Sequence, residues 1–558
     1  MNNYVVLVSI KIDKAMAEIN FNKKHLILLS LLSGILLSAA WPSNGFSLLA
    51  FIALVPLLLV EYSISNNPKQ FARGTIVLYS YITFLSFNLL TTWWVITSTI
   101  VGGLLAFILN SLFMALTFGL FHIMKNRVFK NKYGYFSLIF FWIGYEYLHM
   151  HWDLSWSWLV FGNVFAASYK WVQWYEYTGV FGGSFWIIMV NILIFFSLQR
   201  MIEQKSVNLN NSKSFILAIA LIISPIIFSY SIYSRYENSN DKKINIVIVQ
   251  PNTDPYNEQF VLSKDSLILR FTTLAKTKLD QEIQLLIGPE SVIRGSMWED
   301  DFQRYQVIDS LKHLLIEYPN LSILVGASTK EEAQEGDELK TGARAFSDAP
   351  DHHYYSYNTA LMLKHRQAIQ SYHKSMLVPG AEITPFPFIL KPLEKVFDFG
   401  GEMGTLGISD TQKVLSAKDK SIKVAPIICY ESIYGEFVGN YVRNGANLLA
   451  IITNDGWWGN SPGHRQHFDY ARLRAIEYRR DVVRSANTGI SAFFNDRGDD
   501  FQTTKYWEPA VLKGKAQLHT KMTYYAEHGD YLAKTSLFII SLLLLIFISV
   551  RLRKIKKD

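Results

Sequence analysis

Val424-Ala425-Pro426-Ile427-Ile428-Cys429-Tyr430-Glu431-Ser432 contains the only cysteine among 558 residues. Its apolar run predicts a buried strand ending at Cys429, and 434–444 predicts a helix just after it. A nucleophile at a strand-to-helix junction is held by the strand and faces backbone N–H groups able to receive an oxyanion. A lone cysteine closing an apolar strand is also commonly a small buried hydrophobe. The thiol therefore takes its meaning from the residues around it in the chain.

Outward from this stretch, short apolar runs at 244–250, 283–287, 321–326, 359–363, 368–372, 448–453 and 482–485 predict further buried strands. Helical patterns at 265–279, 300–318 and 465–480 lie between several of them, and this alternation predicts an α/β domain. The polar, glycine-bearing stretch 333–355 predicts a mobile surface loop. Two more strands end in ionisable groups: Glu290 follows Ile287-Gly288-Pro289, and Lys374 follows Tyr372-His373. Ligand clefts of α/β sheets form at such strand ends.

Those three side chains suit acyl transfer. A free thiol titrates near ~8.5 and needs a base or a cation to attack at neutral pH. A carboxylate can take its proton, and an ammonium can stabilise the charge on the attacked carbonyl oxygen.

The rest of the chain is apolar. Half of the residues are hydrophobic and only 18% are charged, with the apolar ones gathered before 235 and in the last 25 positions. Runs long enough to cross a bilayer, roughly 17–25 residues, fall at 25–41, 45–62, 74–97, 101–124, 134–150, 178–198, 214–234 and 534–550. The expected organisation is a cytoplasmic segment 1–24, seven membrane helices within 25–234, an extracytoplasmic catalytic domain 242–520, an eighth membrane helix 534–550 and a basic tail 551–558. Lys11, Lys14, Lys23 and Lys24 precede the first span, Lys69 and Arg73 follow the second, and Lys125, Arg127, Lys130 and Lys132 follow the fourth. Arg200, Lys205 and Lys213 follow the sixth, and Arg551, Arg553, Lys554, Lys556 and Lys557 end the chain. The connections 41–45 and 92–99 carry no Lys or Arg, and 149–177 carries only Lys170. The positive-inside rule then places both termini in the cytoplasm and the α/β domain outside. The formal charge of +8 follows these flanks, so it points to membrane orientation and not to nucleic acid. The 149–177 connection holds five tryptophans, Trp152, Trp156, Trp158, Trp171 and Trp174. It reads as an aromatic belt at the membrane interface, with a lipid portal as the alternative.

The sequences flanking the three strand-end residues resemble the nitrilase superfamily, whose catalytic Glu, Lys and Cys come in this order. They are Val249-Gln250-Pro251-Asn252, Gly288-Pro289-Glu290-Ser291, Tyr372-His373-Lys374-Ser375 through Glu382, Ile428-Cys429-Tyr430-Glu431, Asn454-Asp455-Gly456-Trp457-Trp458-Gly459, His464-Arg465-Gln466-His467 and Arg484-Ser485-Ala486-Asn487. Together with eight spans, the chain resembles the apolipoprotein N-acyltransferase family of the bacterial inner membrane. The resemblance implies a multi-span helical membrane domain joined to an α-β-β-α nitrilase sandwich. It implies Glu290 as base, Lys374 as stabiliser and Cys429 as nucleophile, with Glu382, Tyr430 and Glu431 in support. Trp457, Trp458 and Phe260 are candidate lipid contacts. Phe260 follows Gln259 where the family often has Trp, and Tyr147-Leu148-His149 follows Glu146 where the family commonly has Arg. The implied donor is a phospholipid, the acceptor a diacylglyceryl apolipoprotein, and no metal or organic cofactor is expected.

Two rivals remain at this stage. One is a membrane-tethered amidase of nitrilase type acting on a small amide. The other is a transporter or scaffold, which would call for more charge within the spans than Glu61, His122 and Glu146 supply. There is no Gly-x-Ser-x-Gly elbow and no phosphate-binding Gly-x-x-x-x-Gly-Lys loop. A zinc site on His464 and His467 lacks a third ligand set in the sequence.

Overall fold

The computed structural model describes residues 21–42, 45–204, 213–236, 241–334, 338–386 and 405–555. Lys11, Lys14, Lys205, Lys556 and Lys557, on which part of the orientation reading rests, lie outside them.

The N-terminal part is helical. In order come α1 (Lys23–Ala40), α2 (Val55–Asn66), α3 (Thr75–Thr92), α4 (Ile100–Met124), α5 (Ser137–His149), α6 (Val180–Gln204) and α7 (Lys213–Arg235). Local chemistry sets several starts. Asn22 caps α1 by accepting from the amide of His25 at 3.0 Å, and Thr99 caps α4 by accepting from Gly102 N at 3.1 Å. Among the described residues, seven helices are long and apolar enough to cross a membrane, the last being Tyr531–Arg553. The expected fifth span differs. It is α5, only 13 residues long, preceded by a 3-10 turn at Lys132–Phe136. The segment is therefore not among the seven helices long and apolar enough to cross a membrane. The 3-10 turn is what a hydropathy window cannot distinguish from helix.

The second part is a four-layer α/β sandwich. Eight strands form one sheet in the order β14-β1-β2-β4-β6-β5, with β3 on β4 and β7 on β6. Their ranges are β1 Lys243–Gln250, β2 Leu285–Ile287, β3 Ile293–Trp298, β4 Ser322–Glu332, β5 Arg344–Ala345, β6 His353–Lys364, β7 Gln370–His373 and β14 Ala510–Gln517. The other sheet runs β13-β12-β11-β10-β9-β8. It comprises β8 Leu415–Ser416, β9 Lys423–Ile428, β10 Leu448–Thr453, β11 Val482–Ala486, β12 Ala492–Phe494 and β13 Asp500–Phe501. The two-residue period of a strand sorts its side chains between layers. Ile244, Ile246 and Ile248 of β1 pack with Ile427 and Ala450 of the facing sheet. Val247 and Val249 pack on helices α8 (Lys264–Lys276) and α9 (Gln306–Glu317) through Phe271 and Leu311.

Helices α10 (Gly435–Arg443) and α11 (Pro462–Tyr478) cover the second sheet. Helix α11 is buried on both sides. Phe468, Ala471 and Ala475 face the sheet, whereas Tyr470, Leu473 and Ile476 join the core of the membrane helices. The chain ends with α12 (Tyr531–Ile555).

Two expectations need correction. The stretch 333–355 is not simply a loop. The antiparallel ladder of β4 and β6 brackets it, with Glu332↔Tyr354 as its last pair, and within it Arg344 and Ala345 pair with β6. Backbone hydrogen bonds need no apolar side chains, and stacking of Trp298 on Phe346 at 5.8 Å adds to the ladder. β14 was invisible as an apolar run because it is an edge strand with Lys513 and Lys515, yet it pairs with all eight residues of β1.

The aromatic 149–177 connection, expected as an interfacial belt or a portal, also supplies part of the junction with the α/β domain. Trp158 donates to Gln466 at 2.7 Å, Tyr470 donates to the Trp158 carbonyl at 2.9 Å, and Arg479 pairs with Glu176 at 2.7 Å. The other two Lys/Arg-poor connections meet the same domain. Trp41 donates to Tyr470 at 3.0 Å, and Thr97 donates to the Trp457 carbonyl at 3.3 Å.

Candidate active site

Glu290, Lys374 and Cys429 converge at the strand ends that face the membrane helices. Glu290 lies between β2 and β3. Its backbone rests on Gly326 of β4, where a Cβ would come within 2.0 Å of the Glu290 carbonyl oxygen. Any other residue at 326 would push the carboxylate out of place. Lys374 directly follows β7, and its amide donates to the carbonyl of Asn358 at 2.8 Å. Its ammonium is 1% exposed and sits 3.2 Å from Glu290 Oε1 and 2.8 Å from Glu382 Oε1. Asn358 Nδ2 also donates to Glu290 Oε1 at 2.8 Å, and Asn454 N donates to Oε2 at 3.0 Å. Glu382 is in turn aimed by the amide of Val378 at 2.9 Å. The two carboxylates and the ammonium thus hold one another in a geometry that no one of them could keep alone.

Cys429 is the first residue beyond β9, at φ +48°. A non-glycine residue there costs about 1–3 kcal/mol of backbone strain and persists only where its surroundings hold it. Those surroundings are well defined. The Cys429 carbonyl accepts from Ser432 Oγ at 2.8 Å and is 3.2 Å from His467 Nε2. His467 Nδ1 lies 3.0 Å from Asp455, which pairs with Arg484, and all three are buried. Burial opposes ionisation of Asp455, but Arg484 and His467 outweigh it and hold the carboxyl at about 2. This Arg484–Asp455–His467 chain braces the Cys429 backbone. All three residues stand in the stretches that carry the family resemblance, but nothing in the sequence joins them. His464 stacks on Tyr506 at 3.8 Å.

Electrostatics assign a resting state. Burial pushes the Cys429 thiol well above its usual range, the Glu290 charge adds to the rise, and Lys374 opposes it. The thiol therefore rests protonated and needs a base. Burial works against the Lys374 charge, but Glu382 and Glu290 outweigh it, so the ammonium stays protonated at all physiological pH.

The other residues divide between site and scaffold. Glu431 does not face the triad. Its oxygens accept from Tyr372 OH at 2.6 Å, Ser375 N at 2.7 Å and Ile428 N at 2.8 Å. One carboxylate thereby ties the end of β9 to the loop bearing Lys374. Burial pushes it up to about 7, against the pull of those donors. Tyr430 reaches the membrane part, donating to the Ser155 carbonyl at 3.0 Å and lying parallel to Trp156. Trp458 packs between Trp94 and Trp158 at 4.8 and 5.5 Å, so it belongs to the junction between the two parts. Trp457 and Phe260, 6.3 Å apart, lie on the more open side. Among the described residues, Asp481, Asp496 and His519 could meet around a cation. Both ring nitrogens of His519 already face Asp241 and Asp481, at 2.8 and 3.1 Å, and the group lies before β11, at the end of the sheet remote from the triad.

Comparison with known proteins agrees with this architecture. Residues 33–193 match the apolipoprotein N-acyltransferase N-terminal domain, and residues 246–524 match the carbon-nitrogen hydrolase domain. The apolipoprotein N-acyltransferase of Chlorobaculum tepidum is 32% identical over 528 residues, covering 93% of this chain and 96% of its own. That of Geobacter metallireducens is 27% identical over 523 residues, covering 91% and 92%. Among solved structures, Saccharomyces cerevisiae Nit3, a member of branch 10 of the nitrilase superfamily, aligns at 13% identity and TM-score 0.34, over 50% of this chain and 90% of its own. With both halves matched and a relative above 30% identity along almost the whole length, the chain belongs to the apolipoprotein N-acyltransferase family.

Proposed function

We propose that the protein transfers an acyl chain from a phospholipid to the N-terminal amine of a diacylglyceryl-cysteine apolipoprotein, by way of a thioester on Cys429. Glu290 takes the thiol proton as sulfur attacks the ester carbonyl. Lys374 stabilises the tetrahedral oxyanion. The C–O bond breaks, and Glu290 returns its proton to the departing lysophospholipid oxygen. In the second half, the acceptor amine attacks the thioester and gives a proton to Glu290. The C–S bond breaks, and that proton restores the thiol. A thioester is activated towards amines and persists where water is excluded. Glu382 positions Lys374, and Glu431 and the His467 chain position the backbone of the two loops.

The observation that favours this reading over a soluble-amide hydrolase is the bond from Tyr430, next to the nucleophile, to Ser155 of the membrane part. The thiol is thereby fixed against the membrane helices, where both lipid-anchored substrates reside. Incubation of the purified protein with phospholipid should add one acyl mass, located on Cys429, as read by intact-mass and peptide mass spectrometry. An adduct from small amides with none from phospholipid would reject the transferase.

We infer that the catalytic domain lies on the outer, periplasmic face of the inner membrane, with both termini cytoplasmic. The support is that all three Lys/Arg-poor connections, 41–45, 92–99 and 149–177, include residues bonded to this domain. A tag inserted at 346–350 should react with an impermeant reagent in cells whose inner membrane is intact. Reaction only after lysis would reverse the orientation.

A further inference from the structure

The inference concerns how the donor lipid is held, and it rests on the acyl-transfer reading above. An open pocket of about 320 Å³ lies where β3 meets the first turns of α8 and α9, and Arg294, four residues after Glu290, lines it. We propose that this pocket binds the phosphate of the donor phospholipid's headgroup, with Lys264 and Arg294 as its cations.

Both side chains are fixed by their surroundings. Lys264 lies across Gly295, a residue at φ +78° where a Cβ would come within 2.1 Å of Nζ, and its ammonium donates to the Gly295 carbonyl at 3.1 Å. The Arg294 guanidinium stacks 3.8 Å over the Phe260 ring and donates to the Gln259 carbonyl. A planar guanidinium held in this way is suited to a two-pronged contact with phosphate oxygens. Asp265 lines the pocket as well, so its charge is mixed and not purely cationic. The first turn of α9 also faces the pocket through Gln306 and Val307, and its N-cap, Tyr305, makes no side-chain capping bond. Helix N-termini of this kind add partial positive charge.

Two further observations connect the pocket to lipid chemistry. Gln259 Oε1 accepts from Asn454 Nδ2 at 3.0 Å, and Asn454 N donates to Glu290 at 3.0 Å. The guanidinium is therefore linked through two residues to the base. On the other side lies an apolar ledge, with Tyr256, Phe260 and Val261 exposed by 48, 51 and 78%. Tyr256 donates to the Thr97 carbonyl at 3.1 Å, which places this ledge at the membrane end of the third long helix. Apolar surface beside the third long helix, cations next to it and the hydrogen-bonded path from Arg294 to Glu290 follow the order of chain, phosphate and ester along a glycerophospholipid. The ledge also gives Phe260 and Trp457 a place in chain contact.

The test uses the full-length protein in mixed micelles and reads the rate of Cys429 acylation by intact mass. Donors are a phosphatidylglycerol and a diacylglycerol with identical chains, the second lacking the phosphate. The wild type should prefer the phospholipid, and Lys264→Glu or Arg294→Gln should lower that preference by about tenfold, the worth of one hydrogen bond to a charged group. Taking the ratio of the two donors removes any general loss of folding. A ratio unchanged in both variants would overturn the proposal. Millimolar glycerol phosphate separates the sources. Selective slowing of the phospholipid reaction shows that the pocket takes phosphate itself, and a collapsed ratio without such competition shows that only the membrane-held headgroup is taken. Absence of any acylation from either donor in the wild type would instead overturn the acyl-transfer reading.

Discussion

Cys429→Ser should eliminate both transfer and the acyl adduct, with turnover falling by on the order of 10⁴-fold or more. The reason lies in the balance around the sulfur. Burial and the Glu290 charge already raise the thiol, and Lys374 is the cation that opposes them. A hydroxyl is several units less acidic still, so the same carboxylate cannot take its proton. The substitution changes little in volume, and the left-handed backbone at 429 remains held by Ser432 and His467. An unchanged melting temperature with no adduct is thus the expected pair of results. Turnover within tenfold of wild type would remove covalent catalysis at this position.

Lys374→Met should produce the next largest loss, on the order of 10²–10³ in rate, the range for removing an oxyanion donor. It should also cost stability, which a purely electrostatic role in the transition state would not. Glu290 Oε1 and Glu382 Oε1 both contact Nζ, at 3.2 and 2.8 Å, in a site with little exposure. Without the ammonium, two carboxylates share the site with no counter-charge. Breaking a buried pair of this kind costs about 3–5 kcal/mol. Glu382→Gln in the Lys374→Met background should recover part of the stability and none of the rate. If the single variant melted as the wild type does, the ammonium would not be the keystone of the cluster.

The residues proposed to carry the chemistry were legible because each breaks a local pattern. Glu290, Lys374 and Cys429 are ionisable groups immediately after apolar strands, and a periodicity argument finds them without knowing how the strands are arranged. Glu382 and Tyr430 were legible only through family resemblance. Glu431 was also named that way, but its task of joining β9 to the Lys374 loop depends on a contact across 56 residues of chain. The His467 chain was missed for the same reason. A histidine on a buried helix looks alike whether it packs or braces a carbonyl, and the difference lies in Asp455 and Arg484, brought from two other segments.

Composition and hydropathy by themselves determined the two-part architecture, the apolar spans and the α/β alternation, since burial of apolar surface follows local pattern. They did not determine the edge strand β14, the extended β4–β6 ladder or the 3-10 turn before α5. Those depend on backbone hydrogen bonds and neighbours that side-chain polarity does not encode. The contacts of 149–177 with the α/β domain were likewise decided only in three dimensions. Its tryptophans satisfy the composition of an interfacial belt, yet Trp158 finds Gln466 and Tyr470 within hydrogen-bond reach. A polar-tipped aromatic side chain settles wherever its ring is buried and its N–H is paired, and that place exists only once the α/β domain sits on the membrane helices.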